Sequence, residues 1–311
     1  MANQKKVAVF GGTGFIGSNI LKELSNNSFT INILIRRGSE NKLPKVNNIN
    51  VYNGDLSDIE SVKKTINNCD TIIYAVGIIR EYRKKGITFD KLHYEYFKNI
   101  VDIAKISGVK RIIYISANGV REDGTNYQST KYRAEQYLIN NFDYWTIFRP
   151  SVVFGNPDGK MEFVSQLKED ILDKHIPVPL FFNLNPFSYK KFFQSNPVHV
   201  NDLVKIIIKS IERFNSKKQT YRVGGPIQTT WSGMLKTISK VTGKRKIYLP
   251  VPVSIVQIIA SIFDGFNLLP ITSTQIKMLQ DDNICDSTNL FEEYDIQPIS
   301  FNSDSIKYLN N

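Results

Sequence analysis

The chain has little of what metal and dithiol chemistry needs. Only two cysteines and three histidines occur in its 311 residues. Cys69 and Cys285 form no paired motif, which excludes a zinc ribbon or a dithiol centre and suits structural thiols in a reducing compartment. His93, His175 and His199 are scattered without ligand spacing and read as packing or surface residues. No apolar run is long enough for a membrane span. The start is polar and runs straight into a strand, so no signal peptide is expected. Repeats and low-complexity linkers are absent too. Acidic residues are the minority, 29 against 40 Lys and Arg, for a net charge of +11. That charge suits a phosphorylated cofactor, an anionic membrane surface or nucleic acid. The basic residues are dispersed and no RNA-binding motif is visible, so a lysine-rich surface is the plainer reading and nucleic acid is disfavoured.

What is present begins at residue 5. Lys5-Lys6-Val7-Ala8-Val9-Phe10 is a short β-prone run, followed by glycines at 11, 14 and 17. An apolar-periodic helix then starts with Phe15, Ile16, Ile20, Leu21 and Leu24. This is the first β-turn-α of a dinucleotide-binding fold. Gly11 permits the tight turn, Gly14 lets the backbone approach a pyrophosphate, and Gly17 lets helix and strand pack closely. Free N–H groups and the helix dipole favour negative charge at that helix start. The cofactor-binding candidates here are Gly11, Thr13, Gly14, Phe15, Ile16 and Gly17.

Strands are expected near 5–10, 30–35, 49–53, 71–76, 110–116 and 144–149. Helices are expected near 14–25, 57–67, 88–107, 127–141 and 160–173. This alternation predicts an α/β fold, a Rossmann-type doubly wound parallel sheet. After about residue 155 the pattern is irregular. Pro177 to Pro197 reads as a loop rich in Pro, Phe and Lys. Val198–Asp202 reads as a strand entering a helix from Leu203 to Phe214, and Tyr221–Gly225 as a further strand and turn. The expected organisation is a nucleotide-binding domain of residues 1–155 to which 197–225 return. A smaller, discontinuous C-terminal substrate or partner domain is then drawn from 156–196 and 226–311.

NAD-specific sites place an acid at the end of the second strand, for the ribose 2′-hydroxyl. Here that place reads Leu34-Ile35-Arg36-Arg37-Gly38. Arg36 and Arg37 suit a 2′-phosphate through charge-assisted bonds, which favours NADP(H) over NAD(H). The alternative is a pair of solvated loop arginines.

Tyr127 and Lys131, four apart at the start of a helix, share one face. An ammonium near a phenol is expected to lower its pKa, and such a tyrosine can exchange a proton while a hydride moves. Tyr and Lys at this spacing are also common on ordinary helices. Ser116, in Tyr114-Ile115-Ser116-Ala117-Asn118-Gly119, taken alone reads as a strand-end residue bonding locally.

The glycines, Asn53-Gly54-Asp55-Leu56, Ala75-Val76-Gly77, Tyr127-Gln128-Ser129-Thr130-Lys131 and Arg149-Pro150-Ser151-Val152-Val153-Phe154-Gly155 follow one another as in the short-chain dehydrogenase/reductase superfamily. The chain resembles its extended and atypical members, the NAD-dependent epimerase/dehydratase-like proteins. Gly77-Ile78-Ile79-Arg80-Glu81, Phe148-Arg149-Pro150-Ser151, Leu268-Leu269-Pro270 and Gln275 to Asn283 resemble most the group of the nucleotide-binding accessory subunit of respiratory complex I. The resemblance implies that Asp55 and Leu56 hold the adenine and that Ala75, Val76 and Gly77 line the cofactor near the ribose. It also implies that Pro150, Ser151, Val152 and Val153 lie near the nicotinamide and that Lys131 bonds its ribose. Asp55 taken alone is equally a helix cap. The resemblance makes Ser116 a catalytic candidate with Tyr127 and Lys131, since it matches the first serine that extended members carry at the end of the fifth strand; Asn118 stands where they usually carry a catalytic hydroxyl, and an amide cannot relay a proton as a hydroxyl does.

Two apolar features remain. Val251–Phe263, extended by Phe266, Leu268 and Leu269, reads as a core helix of the small domain, or as a helix lining an apolar pocket or resting on a membrane. Phe181–Phe193 interleaves five phenylalanines and a tyrosine with two lysines. That pattern suits a membrane interface or a lid over an apolar, quinone-like ligand. The expected function is an NADP(H)-binding oxidoreductase or epimerase-like enzyme acting on an apolar or quinone-related substrate. The alternative is a nucleotide-stabilised accessory or assembly protein of a membrane respiratory or quinone-synthesis complex, with little turnover. The expected place is the cytoplasm, with a peripheral position on the inner face of a membrane as the variant.

Overall fold

A computed structural model describes residues 5–183, 187, 191–263 and 272–310. The chain divides into two compact units. Residues up to 150, 200–222 and 290–296 form the first; 151–199, 223–289 and the remainder from 297 form the second.

The first unit is built on parallel strands β1 (Lys6–Phe10), β2 (Thr30–Ile35), β3 (Ile49–Asn53), β4 (Thr71–Tyr74), β5 (Arg111–Ile115) and β6 (Trp145–Pro150). Further along the chain come β7 (Val153–Phe154), β8 (Val178–Phe182), β9 (Gln194–Ser195), β10 (Val198–His199) and β11 (Gln219–Val223). The seven-stranded sheet has the order β11-β6-β5-β4-β1-β2-β3. Strand order reverses beside β1: β2 and β3 lie on one side, β4 to β6 on the other. Open α/β sheets bind ligands at such a switch point, beyond the carboxyl ends of the strands.

The helices of this unit are α1 (Phe15–Asn26), α2 (Ile59–Ile66), α3 (Tyr96–Ile106) and α4 (Asn126–Asn141). Their starts have local causes. The Asp58 carboxylate accepts from the Glu60 N–H to cap α2. Thr125 and Gln128 form a reciprocal capping box on α4. The helix expected over 88–107 begins instead as a π-turn, Asp90–Glu95, before α3 continues. A core of Phe10, Ile72, Tyr74, Phe97, Ile100, Tyr114 and Ile147 fills the space under α2, α3 and α4.

In the second unit, α5 (Phe163–Leu167) precedes β8. The first unit recovers the chain at α6 (Val200–Glu212), which packs on α1. Arg111 helps hold that return. Its buried guanidinium donates to the carbonyls of Ile211 and Arg213 and to the hydroxyls of Thr146 and Ser216.

The second unit continues with β12 (Thr229–Thr230), α7 (Trp231–Thr242), β13 (Tyr248–Pro252), α8 (Val253–Phe263) and α9 (Ser273–Leu279). The short α10 (Thr288–Glu293) follows. The stretch expected as a loop, Pro177–Pro197, contains two strands. β8 pairs in parallel with β13, from Val178 with Tyr248 to Phe182 with Pro252, and β9 pairs antiparallel with β12. The partners lie far along the chain, so local pattern did not reveal them.

The aromatic stretch also differs from expectation. Phe181, Phe182, Phe192 and Phe193 are buried, three of them in a core with Trp231, Met234 and Ile276. These four face the interior of the unit; Phe187 alone is exposed among the described phenylalanines of this stretch. Residues 184–186 and 188–190, and the Leu268-Leu269-Pro270 motif with Phe266, lie outside the described residues. α8 carries apolar residues on both its buried and its exposed sides. Val253 and Ala260 are buried, whereas Ile255, Ile258 and Ile259 are exposed. Among the described residues no helix is long and apolar enough to cross a membrane.

Candidate functional site

The site grows from the turn after β1. The Gly14 N–H donates to the Gly11 carbonyl at 3.1 Å, and the Ser18 N–H closes the first helical bond to Gly14. Gly11 has φ +89°, and a Cβ there would lie 2.7 Å from the Ala75 carbonyl carbon. A Cβ on Gly17 would lie 2.1 Å from the Gly11 oxygen. Both positions therefore require glycine. Helix α1 has no side-chain cap and no acid in its first turn, so its leading N–H groups are offered outward from the Thr13–Gly17 segment.

The loop after β4 lies against this turn. Ala75 N–H donates to the Phe10 carbonyl at 2.8 Å, placing Ala75 and Val76 beside Gly11. Gly77 follows, and a Cβ on it would sit 3.8 Å from Lys131 Nζ. Lys131 is buried on α4 and donates to the Ile115 carbonyl at 3.0 Å, next to Ser116. Its Nζ lies 5.8 Å from the Tyr127 ring centre and 5.3 Å from that of Tyr114. Glycine turn, Ala75–Gly77 loop, Lys131, Tyr127 and Ser116 are thus one contiguous group in the first unit.

Burial governs the ionisation here. It pushes the Lys131 ammonium down to about 8, against the opposing pull of Glu135. It pushes the Tyr127 phenol up to about 12. The expected lowering of the phenol by Lys131 does not occur in this arrangement. The amine faces the ring and bonds the Ile115 carbonyl, and burial is the cause of the phenol's upward shift. Glu135, fully buried, is held by the Arg149 guanidinium through Nε at 3.0 Å and through Nη2.

Ser116 donates its N–H to the Phe148 carbonyl, while its buried Oγ has no partner. Asn118 is more committed. Its N–H donates to the Pro150 carbonyl and its Oδ1 accepts from Arg222 Nε at 2.9 Å.

The adenosine side is open. Arg36 and Arg37 follow β2, are exposed, and make no side-chain bond among the described residues. The Gly54 N–H donates to the Ile35 carbonyl, which brings the end of β3 beside them. Asp55 is exposed and accepts from the Ser57 N–H and hydroxyl through Oδ1, an Asx turn; the cap of α2 is Asp58. Leu56 packs against the core. Pro150 ends β6 in the first unit. Ser151, Val152 and Val153 belong to the second, where Ser151 Oγ donates to the Asn283 carbonyl at 2.9 Å and Val153 pairs with Val198.

His93 is the residue that sequence reasoning missed. It is fully buried, with its ring edge-on to Tyr127 at 5.3 Å between centres. The signal was present: Phe89, His93 and Phe97 recur at helical spacing on one apolar face.

A dinucleotide fits these residues. Uncapped helix N–H groups, glycines that admit close backbone approach and, unpartnered among the described residues, a buried Ser116 hydroxyl and two arginines are groups that suit it. Among the described residues no cluster of His, Cys, Asp and Glu could hold a metal.

Comparison with known proteins agrees. A family model described as NAD(P)H-binding matches residues 11–177. The mitochondrial NADH-ubiquinone oxidoreductase 40 kDa subunit of Neurospora crassa is 24% identical over 308 residues, covering 97% of this chain and 78% of that one. The chloroplastic divinyl chlorophyllide a 8-vinyl-reductase of Arabidopsis thaliana is 25% identical over 276 residues, 83% of this chain; the match spans 63% of the reductase. Among solved structures, the UDP-glucose 4-epimerase of Thermus thermophilus in complex with NAD superposes with a TM-score of 0.72 at 16% identity, over 98% of this chain and 97% of that one. At that identity the likeness is one of fold.

Proposed function

The chain belongs to the NAD(P)H-binding family, and from that premise we propose that it binds NADP(H) in preference to NAD(H) and acts as an oxidoreductase or epimerase-like enzyme on an apolar or quinone-related substrate. The observation that carries the cofactor choice is the end of β2. Two exposed guanidinium groups stand there without a side-chain bond among the described residues, and the sequence has no acid there for a ribose 2′-hydroxyl. In this reading Gly11, Thr13, Gly14, Phe15, Ile16 and Gly17 hold the pyrophosphate, Arg36 and Arg37 the 2′-phosphate, and Asp55 and Leu56 the adenine. Ala75, Val76, Gly77, Ser116 and Lys131 hold the ribose on the nicotinamide side. The nicotinamide supplies hydride exchange. Tyr127 holds or releases the proton, and Lys131, with its Nζ 5.8 Å from that ring centre, is the cation beside it. The test is calorimetry with each coenzyme: NADPH is expected to bind at least tenfold more tightly than NADH, and equal affinity overturns the preference.

A second reading has its own support. Asn118 occupies the place of the usual hydroxyl and is tied to Arg222, and the phenol of Tyr127 lies far above neutrality. Both suit a protein that keeps its nucleotide as a structural ligand in a respiratory or quinone-synthesis assembly, stabilised by binding to the folded state. Nucleotide released from the purified protein distinguishes the readings. Turnover with candidate quinones that disappears in Tyr127→Phe supports the enzyme; tight retention without turnover supports the accessory role. The exposed isoleucines of α8 are the surface that supports a peripheral membrane position, and flotation with anionic vesicles, compared with Ile258→Asp, tests it.

A further inference from the structure

His93 makes two polar contacts and two ring contacts inside the first unit. Its Nε2 accepts the Ile78 N–H at 3.2 Å. Its Nδ1 lies 3.2 Å from Thr130 Oγ1. The Thr130 hydroxyl proton is already given to the Asn126 carbonyl at 2.7 Å, so that oxygen accepts from Nδ1–H. The two contacts together select the neutral Nδ1–H tautomer. The ring stacks on Phe89 at 5.3 Å and 22°, and meets Tyr127 at 89°. Phe89 and Tyr127 also meet edge-on, so the three rings form one closed cluster.

The two polar partners stand on different walls. Ile78 follows Gly77, whose backbone faces Lys131 Nζ. Thr130 is on α4, immediately before Lys131 and three residues after Tyr127. One imidazole therefore spans the gap between the Ala75–Ile78 loop and the helix that carries Tyr127 and Lys131. An imidazolium would fail there. It would oppose its own N–H to the Ile78 N–H, and burial first and the Lys131 field second already disfavour its charge.

We propose that His93 is a positioning residue of the nucleotide site: as a neutral Nδ1–H imidazole it clamps the Gly77–Ile78 backbone to α4 and sets the Tyr127 ring. The proposal rests on the reading of this site as a nucleotide site, but its tautomer is testable without any nucleotide.

The imidazole nitrogen spectrum of labelled protein at neutral pH gives the first arm. With three histidines in the chain, His175→Gln and His199→Gln assign the other two signals. A protonated Nδ1 and an unprotonated Nε2 are expected for His93, with both signals shifting on addition of NADPH. An imidazolium, the reverse tautomer, or signals that NADPH leaves unmoved overturn the proposal. The second arm compares variants. His93→Phe keeps the ring contacts and loses both hydrogen bonds; His93→Gln keeps an acceptor for Ile78. NADPH affinity is expected to fall at least tenfold in the first and to stay within about threefold of wild type in the second. Wild-type affinity in a folded His93→Phe, or equal loss in both variants, overturns the proposal. Should His93→Phe not fold, the nitrogen spectrum decides. Should wild-type protein bind neither NADPH nor NADH, the nucleotide reading falls, while the ligand-free spectrum still decides the clamp.

Discussion

The two sides of the candidate site are built from opposite materials. The turn of Gly11 to Gly17 is almost all backbone: a positive φ, a close approach and uncapped N–H groups. The Tyr127–Lys131 side is all side chain, with a buried amine, a buried imidazole and a half-buried phenol stacked around one another. A backbone site tolerates change only where a Cβ has room. A side-chain site carries desolvation costs that its own ligand must offset. The first is therefore expected to fail sterically and the second electrostatically.

The largest effect should come from the backbone side. Gly17→Val places carbon against the Gly11 carbonyl, at 2.1 Å for the first atom alone. A loss of about 3 kcal/mol or more is expected, read as a large fall in melting temperature together with loss of NADPH binding. Gly14→Ala sharpens the contrast, because its Cβ would meet the Gly11 oxygen at 3.4 Å, an ordinary contact. That variant should fold near normally and lose affinity only. Equal melting temperatures for wild type and Gly17→Val would break the steric half of the comparison.

Lys131→Met probes the other half. Burial holds the amine at about 8, against 10.5 for the free side chain. Each unit is about 1.4 kcal/mol, and the lost bond to the Ile115 carbonyl takes back about 1 kcal/mol, so the ligand-free variant should gain about 2–3 kcal/mol while losing function. The pH dependence has a definite sign. Between pH 8 and 10.5 the unfolded chain holds the lysine proton more tightly than the folded one, so the Lys131 contribution to stability rises with pH across that window. The variant should lack that rise; denaturant melts from pH 8 to 9.5, below the range where tyrosines ionise, are the check.

Smaller again are the arginines. Arg36→Ala and Arg37→Ala should each weaken NADPH about tenfold and leave NADH unchanged, by calorimetry. The smallest effect belongs to Asn118→Ser. It removes the bond to Arg222, at about 1 kcal/mol of stability, and restores a hydroxyl beside the strand end. If the protein is an enzyme, its turnover should rise while NADPH affinity holds.

The same contrast explains what could be read from sequence. The glycine turn, β1 to β6 and α1 are contiguous, and local spacing reveals them. Tyr127 and Lys131 were visible as a helical pair, but the direction of their pKa shifts was not, because desolvation depends on what the fold packs around them. His93 joins Ile78 and Thr130, 15 and 37 residues away, and no motif spans those distances. β8 escaped because its partner β13 lies about seventy residues further on, and a Pro-rich, Phe-rich run resembles a loop until that partner is known. The exposed face of α8 was equally hidden: its residues are apolar all round, so periodicity could not say which side meets the core.

Arg111 sets an order of events for a chain emerging from the ribosome. Of its four acceptors only Thr146 is near; Ile211, Arg213 and Ser216 follow about a hundred residues later. Until those residues appear, a guanidinium on the strand next to the edge lacks most of its partners, and β6 remains a bare edge open to other chains. A fragment cut after residue 155 would keep that defect permanently. It should aggregate even though it contains the whole glycine turn, and addition of the nucleotide should not rescue it.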